Sequence, residues 1–244
     1  MCTVLLRWSP AARWPLVVAA VRDEFIDRPW DPPAAHWPDS PCLIGGRDRT
    51  AGGTWLAARR DRPAVAALLN GVRRPPPADG GIRPTRGGLV LAALTGTARL
   101  DDADLAGYDG FHLMLGTPTG VTVWTWDGQR VRRQELTAGD HIIVNDGVDT
   151  ADDPLVPHFA PLLAAVPTPD ELTGDSASAW RAWRELLAGD GLPGDDPRAL
   201  VVRHVVGERT YGSSSAALLG LSHDSVRFEF TATPDRPAWY PVLA

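Results

Sequence analysis

The cysteine at position 2 can do more chemistry than any other residue in the chain. Once an initiator methionine is removed, Cys2 carries a thiol and a free α-amine on one residue. An α-amine has a reference pKa of about 7.7–8.0 and a thiol about 8.5, so near neutral pH the amine can take the thiol's proton. Cys2 would then be a nucleophile with its own base. Arg22 nearby would favour the thiolate, and Asp23 would orient or balance the amine. The alternative is that Cys2 is a small residue opening an edge strand.

Two strands are needed to bring these residues together. Thr3 to Trp8 and Pro15 to Val21 are short apolar runs, joined by Ser9-Pro10-Ala11-Ala12-Arg13, a length that suits a hairpin. In an antiparallel pair the start of one strand neighbours the end of the next, so Cys2 meets Arg22-Asp23. Beyond them, Phe25 to Ala51 is rich in Pro and Gly and reads as an irregular excursion. Thr54 to Ala58 and Ala64 to Leu69 read as a second strand pair, and 71–85 as a Pro-, Gly- and Arg-rich loop.

Arg86 to Thr95 and Asp101 to Tyr108 suit short helices, the second opened by acidic residues. Phe111 to Leu115, Val121 to Trp126, Arg130 to Leu136 and His141 to Val144 read as consecutive strands, with Asp127-Gly128 as a hairpin turn. From Ser178 to Ala188, Trp180, Trp183, Leu186 and Leu187 recur at helical spacing and Gly189 stops the run. Ala216 to Leu221 and Val226 to Thr233 are further strands. The order is strands, helices, strands, helices, strands, without the alternation of a parallel doubly wound sheet. It predicts an α+β fold: a single domain over 1–244 in which two antiparallel sheets lie between helix layers, an αββα sandwich.

Several blocks come in the order of a known family. Met1-Cys2-Thr3, Val21-Arg22-Asp23-Glu24-Phe25, Gly46-Arg47-Asp48, Gly52-Gly53-Thr54-Trp55-Leu56, Ala66-Ala67-Leu68-Leu69-Asn70, Arg86-Gly87, Gly110-Phe111-His112-Leu113 and Asn145 resemble the NRDE family, also called the transport and Golgi organisation protein 2 family. The resemblance covers about the first 145 residues, and Tyr211-Gly212 follows as one later block. Val21 stands where the family's signature has Asn, and Ser214 where an arginine follows the Tyr-Gly block. The resemblance implies the fold of N-terminal nucleophile hydrolases, a group whose relatives include bile-salt hydrolases and penicillin acylases. By that group's logic Cys2 is the nucleophile and Asp23 sits near the amine. Asn70, by its backbone N–H, and Asn145, by its side-chain amide, become candidates for an oxyanion hole, although both asparagines also read as turn formers. Members of the family are associated with haem trafficking and with lipid or coenzyme A homeostasis.

Two expectations therefore stand side by side. The first is an N-terminal cysteine hydrolase or acyltransferase acting on an amide or thioester carbonyl without a cofactor. The second is a non-catalytic protein that binds or carries haem, an acyl-CoA or a lipid in the same pocket. Arg73, Arg74 and Arg86, with Arg83, cluster around the loop and are candidates to hold a carboxylate or phosphate, or else are solvated loop residues. Trp30 and Trp37 are candidates for a ligand-facing wall.

The remaining composition narrows the field. A net charge of −6 gives no drive towards nucleic acid or anionic membrane, and no apolar run approaches a bilayer span. Met1 to Val21 is broken by Arg7, Arg13 and Pro15 and lacks a cleavage site, which predicts a cytoplasmic protein. The histidines have no paired-ligand spacing, so no metal is expected, and two cysteines are too few for a disulfide framework.

Overall fold

A computed structural model describes residues 2–75, 82–169 and 176–243. The chain forms two antiparallel sheets with helices on their outer faces, the α+β sandwich expected from the order of its elements.

The first sheet is centred on β1 (Thr3–Trp8) and β2 (Leu16–Phe25), the expected hairpin, in the register Thr3↔Val21 to Trp8↔Leu16. Beyond β1 lie β10 (Gly139–Val144) and β11 (Gly147–Val148). Beyond β2 lie β13 (Arg209–Leu221), β14 (Val226–Thr231) and β15 (Tyr240–Leu243), and β12 (Arg203–Val206) pairs with β13. β2 runs four residues past its expected end, so Arg22, Asp23 and Glu24 are strand residues whose side chains alternate between the two faces.

The second sheet has the order β3 (Trp30–Ala34), β4 (Leu43–Asp48), β5 (Leu56–Arg59), β6 (Ala64–Asn70), β7 (Phe111–Thr117), β8 (Gly120–Trp126), β9 (Val131–Glu135). β3 and β4 correct the expectation of an irregular excursion between Phe25 and Ala51. β3 carries Pro32-Pro33, which an edge strand tolerates because one side needs no N–H. β4 contains Gly45, where a Cβ would lie 2.6 Å from the Leu56 carbonyl oxygen, so only glycine fits between β4 and its neighbour.

Three apolar layers follow from strand alternation. Val4, Leu6, Val18, Ala20, Ala217 and Leu219 meet Ile44, Ala58, Val65, Ala67 and Met114 between the sheets. On the outer face of the first sheet, Leu5, Val17, Ala19 and Val21 pack under α3 (Leu155–Ala165) and α4 (Ser176–Leu187). Trp180 and Trp183 anchor α4 with almost no exposure, and each such ring removes about 150–250 Å² from water. α1 (Gly87–Thr95) covers the second sheet through Leu89, Val90 and Ala93.

α3 has no counterpart in the sequence reading. Its Pro161 lies inside the helix, where proline normally argues against one. The second predicted helix is shorter than expected: α2 covers only Asp102–Leu105, capped by the Asp101 side chain, which accepts from the Asp104 N–H. Of the 71–85 loop, residues 76–81 lie outside the described residues.

Candidate active site

A cavity of about 340 Å³ opens between the sheets where β1 begins and β2 ends. Cys2, Arg22, Asp23, Asn70, Trp30 and Arg86, all expected from the sequence, line it. Trp37, Arg73, Arg74 and Asn145 are not among the lining residues. Trp37 instead packs on the outer side of the second sheet, its Nε1 3.4 Å from the Gly52 carbonyl oxygen. Arg74 donates to the Ala106 carbonyl oxygen at 2.7 Å.

Strand pairing positions Cys2. Continuing the β1–β2 register by one residue sets it across from Arg22, and the even-numbered side of β1 faces the core between the sheets. The Cys2 thiol is partly buried and donates to the Asp23 carbonyl oxygen at 3.7 Å. Burial pushes the thiol up from its ordinary value and the Asp23 carboxylate pushes it further, while Arg22 acts in the opposite sense. The resting group is therefore a thiol rather than a thiolate, and attack on a carbonyl needs a base.

β13 holds Asp23 in place. Its carboxylate accepts from the Ser213 hydroxyl at 2.6 Å, and its carbonyl oxygen accepts from the Tyr211 hydroxyl at 3.2 Å. Burial raises the Asp23 carboxyl, and the Ser213 hydrogen bond and the nearby His204 offset part of that rise. Tyr211 and Ser213 were not site candidates in the sequence reading, although Tyr211-Gly212 was a recognised block.

A β-bulge between Ser213 and Ser215 places Ser214 against Arg22. Arg22 Nη1 donates to Ser214 Oγ at 3.0 Å, and that hydroxyl donates back to the Arg22 carbonyl oxygen at 3.1 Å. Ser214 thus orients the guanidinium beside Cys2. Val21 lies on the face of β2 opposite Arg22, fully buried under the helices, and is not among the residues lining the cavity.

The two asparagines sit differently. Asn70 ends β6 opposite Phe111 and is exposed at the cavity. Asn145 follows β10, and continuing the β1–β10 register by two residues sets it across from Cys2. Its Oδ1 is buried with no hydrogen-bond partner among the described residues. Its carbonyl oxygen lies 3.0 Å from His112 Nε2, and His112 Nδ1 lies 2.9 Å from Thr125 Oγ1. Since a carbonyl can only accept, Nε2 carries the proton and Nδ1 accepts from the threonine in the neutral ring. Burial lowers the His112 pKa and keeps it neutral.

Residues 1–160 match the family described as Transport and Golgi organisation 2. The chain belongs to that family. No curated protein matches it. Two blocks by which the sequence resembles the Transport and Golgi organisation 2 family meet at the cavity rim. A Cβ on Gly53 would lie 2.5 Å from the backbone carbon of Gly87, so Gly52-Gly53-Thr54-Trp55 and Arg86-Gly87 cross at a distance only glycine allows. Gly52 has φ +73°, a second reason for glycine there. The crossing sets Trp55 and Arg86 in the cavity lining. Among the described residues no helix is long and apolar enough to cross a membrane.

Proposed function

We propose that the protein is an N-terminal cysteine hydrolase or acyltransferase that cleaves an amide or thioester bond in this cavity. The observation that carries the reading is the Cys2 thiol in the cavity wall, with Arg22 on the neighbouring strand and the Asp23 carbonyl 3.7 Å away. On removal of Met1 the α-amine of Cys2 becomes the base that the raised thiol requires. The thiol proton passes to the amine as sulfur bonds to the carbonyl carbon, and the amine delivers that proton to the leaving amine or thiol. Water, or an acceptor amine, then attacks the thioester and restores the thiol.

Asp23, fixed by Ser213 and Tyr211, orients the α-amine. The backbone N–H of Asn70 and the side-chain amide of Asn145 are the candidate donors to the oxyanion. Losing one such donor costs about 2.7–4 kcal/mol of transition-state stabilisation. Asn70 has support from its place in the cavity lining, and Asn145 from its register position across from Cys2.

A non-catalytic carrier of haem, an acyl-CoA or a lipid in the same cavity is the second reading. It is favoured by the burial that keeps Cys2 protonated. Replacing Cys2 separates the two. With Cys2→Ala, turnover of amide and thioester substrates falls to background while ligand binding and thermal stability persist, and an uncleaved N-terminal extension has the same effect. Full turnover by Cys2→Ala rejects the catalytic reading.

A further inference from the structure

The charges around the cavity are almost all matched. Arg28 lies 2.7 Å from Asp48, Arg83 lies 3.1 Å from Asp109, and Arg22 lies 3.7 Å from Glu24. Arg47 points back to Asp31 at 2.7 Å. Arg86 is different: among the described residues no carboxylate lies within 4.0 Å of it. Among the described residues its one side-chain hydrogen bond runs from Nη1 to the Gly110 carbonyl oxygen at 2.7 Å. A guanidinium has five N–H donors, so most of those on Arg86 have no acceptor among the described residues.

Arg86 is half-buried, and this burial lowers its pKa, an effect partly offset by Asp109 and increased by Arg73. Cys2 is among the groups that act electrostatically on Arg86, and both residues line the same cavity. Arg86 is also the N-cap of α1, whose first turn holds no acidic residue, so the helix adds positive potential at the same place. Part of the lining is aromatic: Trp30 and Phe230 stack edge to face with centroids 5.8 Å apart, and Trp55 and Phe228 line the same cavity.

We infer that the substrate is an acyl compound with an apolar body and an anionic group, carboxylate or phosphate, and that Arg86 binds the anion. The inference rests on the proposed acyl chemistry for the word acyl, and on the cavity alone for the anion. The aromatic wall takes the body and the guanidinium takes the charge. This arrangement fixes which bond of the substrate lies over Cys2, making Arg86 a specificity-determining residue.

The test is binding to the Cys2→Ala protein, which separates recognition from turnover. Two matched pairs are titrated calorimetrically: N-hexanoylglycine against N-hexanoylglycinamide, with the charge on the amine side, and N-butylglutaramic acid against N-butylglutaramide, with the charge on the acyl side. The acid of at least one pair binds about tenfold or more tighter than its amide at low salt, as a charge-assisted hydrogen bond supplies. The preference shrinks as salt is added. In Arg86→Gln the preference disappears while the amide's affinity is kept, and Arg86→Lys restores part of it.

Equal binding of acid and amide in both pairs overturns the proposal, as does a preference that survives in Arg86→Gln. If Arg86→Gln does not fold, the comparison of Arg86 with Arg86→Lys across the salt series decides: a preference indifferent to both salt and side chain overturns it. Preference for the acid without turnover by the Cys2 protein is a failure of the catalytic reading alone. Turnover without that preference is a failure of this proposal alone.

Discussion

The Cys2 thiol and the Asp23 carbonyl oxygen are 3.7 Å apart, although 21 residues separate them in the chain. That contact exists because β2 continues past Val21, carrying Asp23 beside the start of β1. The charges on either side of the thiol act in opposite senses: Asp23 disfavours the thiolate and Arg22 favours it. Alkylation of Cys2 by iodoacetamide, followed on its own peptide across pH, reads this balance. Asp23→Asn shifts the profile to lower pH and Arg22→Gln shifts it to higher pH. Shifts in the reverse directions contradict the assigned geometry.

His112 links the sheets by donating to the Asn145 carbonyl from Nε2 while accepting from Thr125 at Nδ1. Its pKa is lower in the folded chain than the unfolded reference of about 6.5, so between the two values the unfolded state binds more protons. Its contribution to stability is therefore complete above about pH 6.5 and is lost as pH falls through the folded value. His112→Phe removes that segment of the pH dependence and leaves the Asn145 carbonyl unpaired, costing about 1–3 kcal/mol near neutral pH. Denaturant unfolding at a series of pH values measures both effects.

The crossing of Gly53 and Gly87 makes another demand on the sequence. With a Cβ on Gly53 only 2.5 Å from backbone carbon, neither side can yield by rotating a side chain. Gly53→Ala therefore forces the rim apart, with a loss of about 1–3 kcal/mol typical of overpacking and weaker binding of any ligand that uses Trp55 and Arg86. Thermal melting and a ligand titration on the same variant check the pair of effects.

Gly220 provides a control away from the cavity. A Cβ there would sit 2.4 Å from Trp180 Cη2, under α4 on the outer face of the first sheet. Gly220→Ala costs about 1–3 kcal/mol by the same overpacking argument, with the rate of Cys2 alkylation unchanged. A changed alkylation rate shows that the outer layer and the cavity are coupled.

The parts of the fold written as periodic apolar runs were readable in the sequence. β1, β6, β8 and the core of β13 alternate or run apolar between turn residues, and α4 repeats its tryptophans at helical spacing. β3, β4 and α3 were not readable, because Pro32-Pro33, Gly45-Gly46 and Pro161 are breakers that only tertiary context makes acceptable. At the site, the approach of Cys2 to Asp23 followed from one hairpin. Arg47, Asp48 and Phe230 were not assigned to the cavity, because they reach it from separate strands whose placement depends on sheet order. Asn145 was named for its side-chain amide; its most definite contact is its carbonyl oxygen with His112, a partner that no local pattern indicates.

The central claim is that Cys2, freed of Met1, is the acyl-accepting nucleophile. Intact-mass analysis followed by peptide mapping, on protein mixed briefly with 4-nitrophenyl butyrate and quenched in acid, tests it directly. The account predicts a chain lacking Met1 that carries one butyryl group on Cys2 and none on Cys42, formed while the urea-unfolded chain remains unmodified. A chain that retains Met1, or whose Cys2 reacts no faster folded than unfolded, contradicts it.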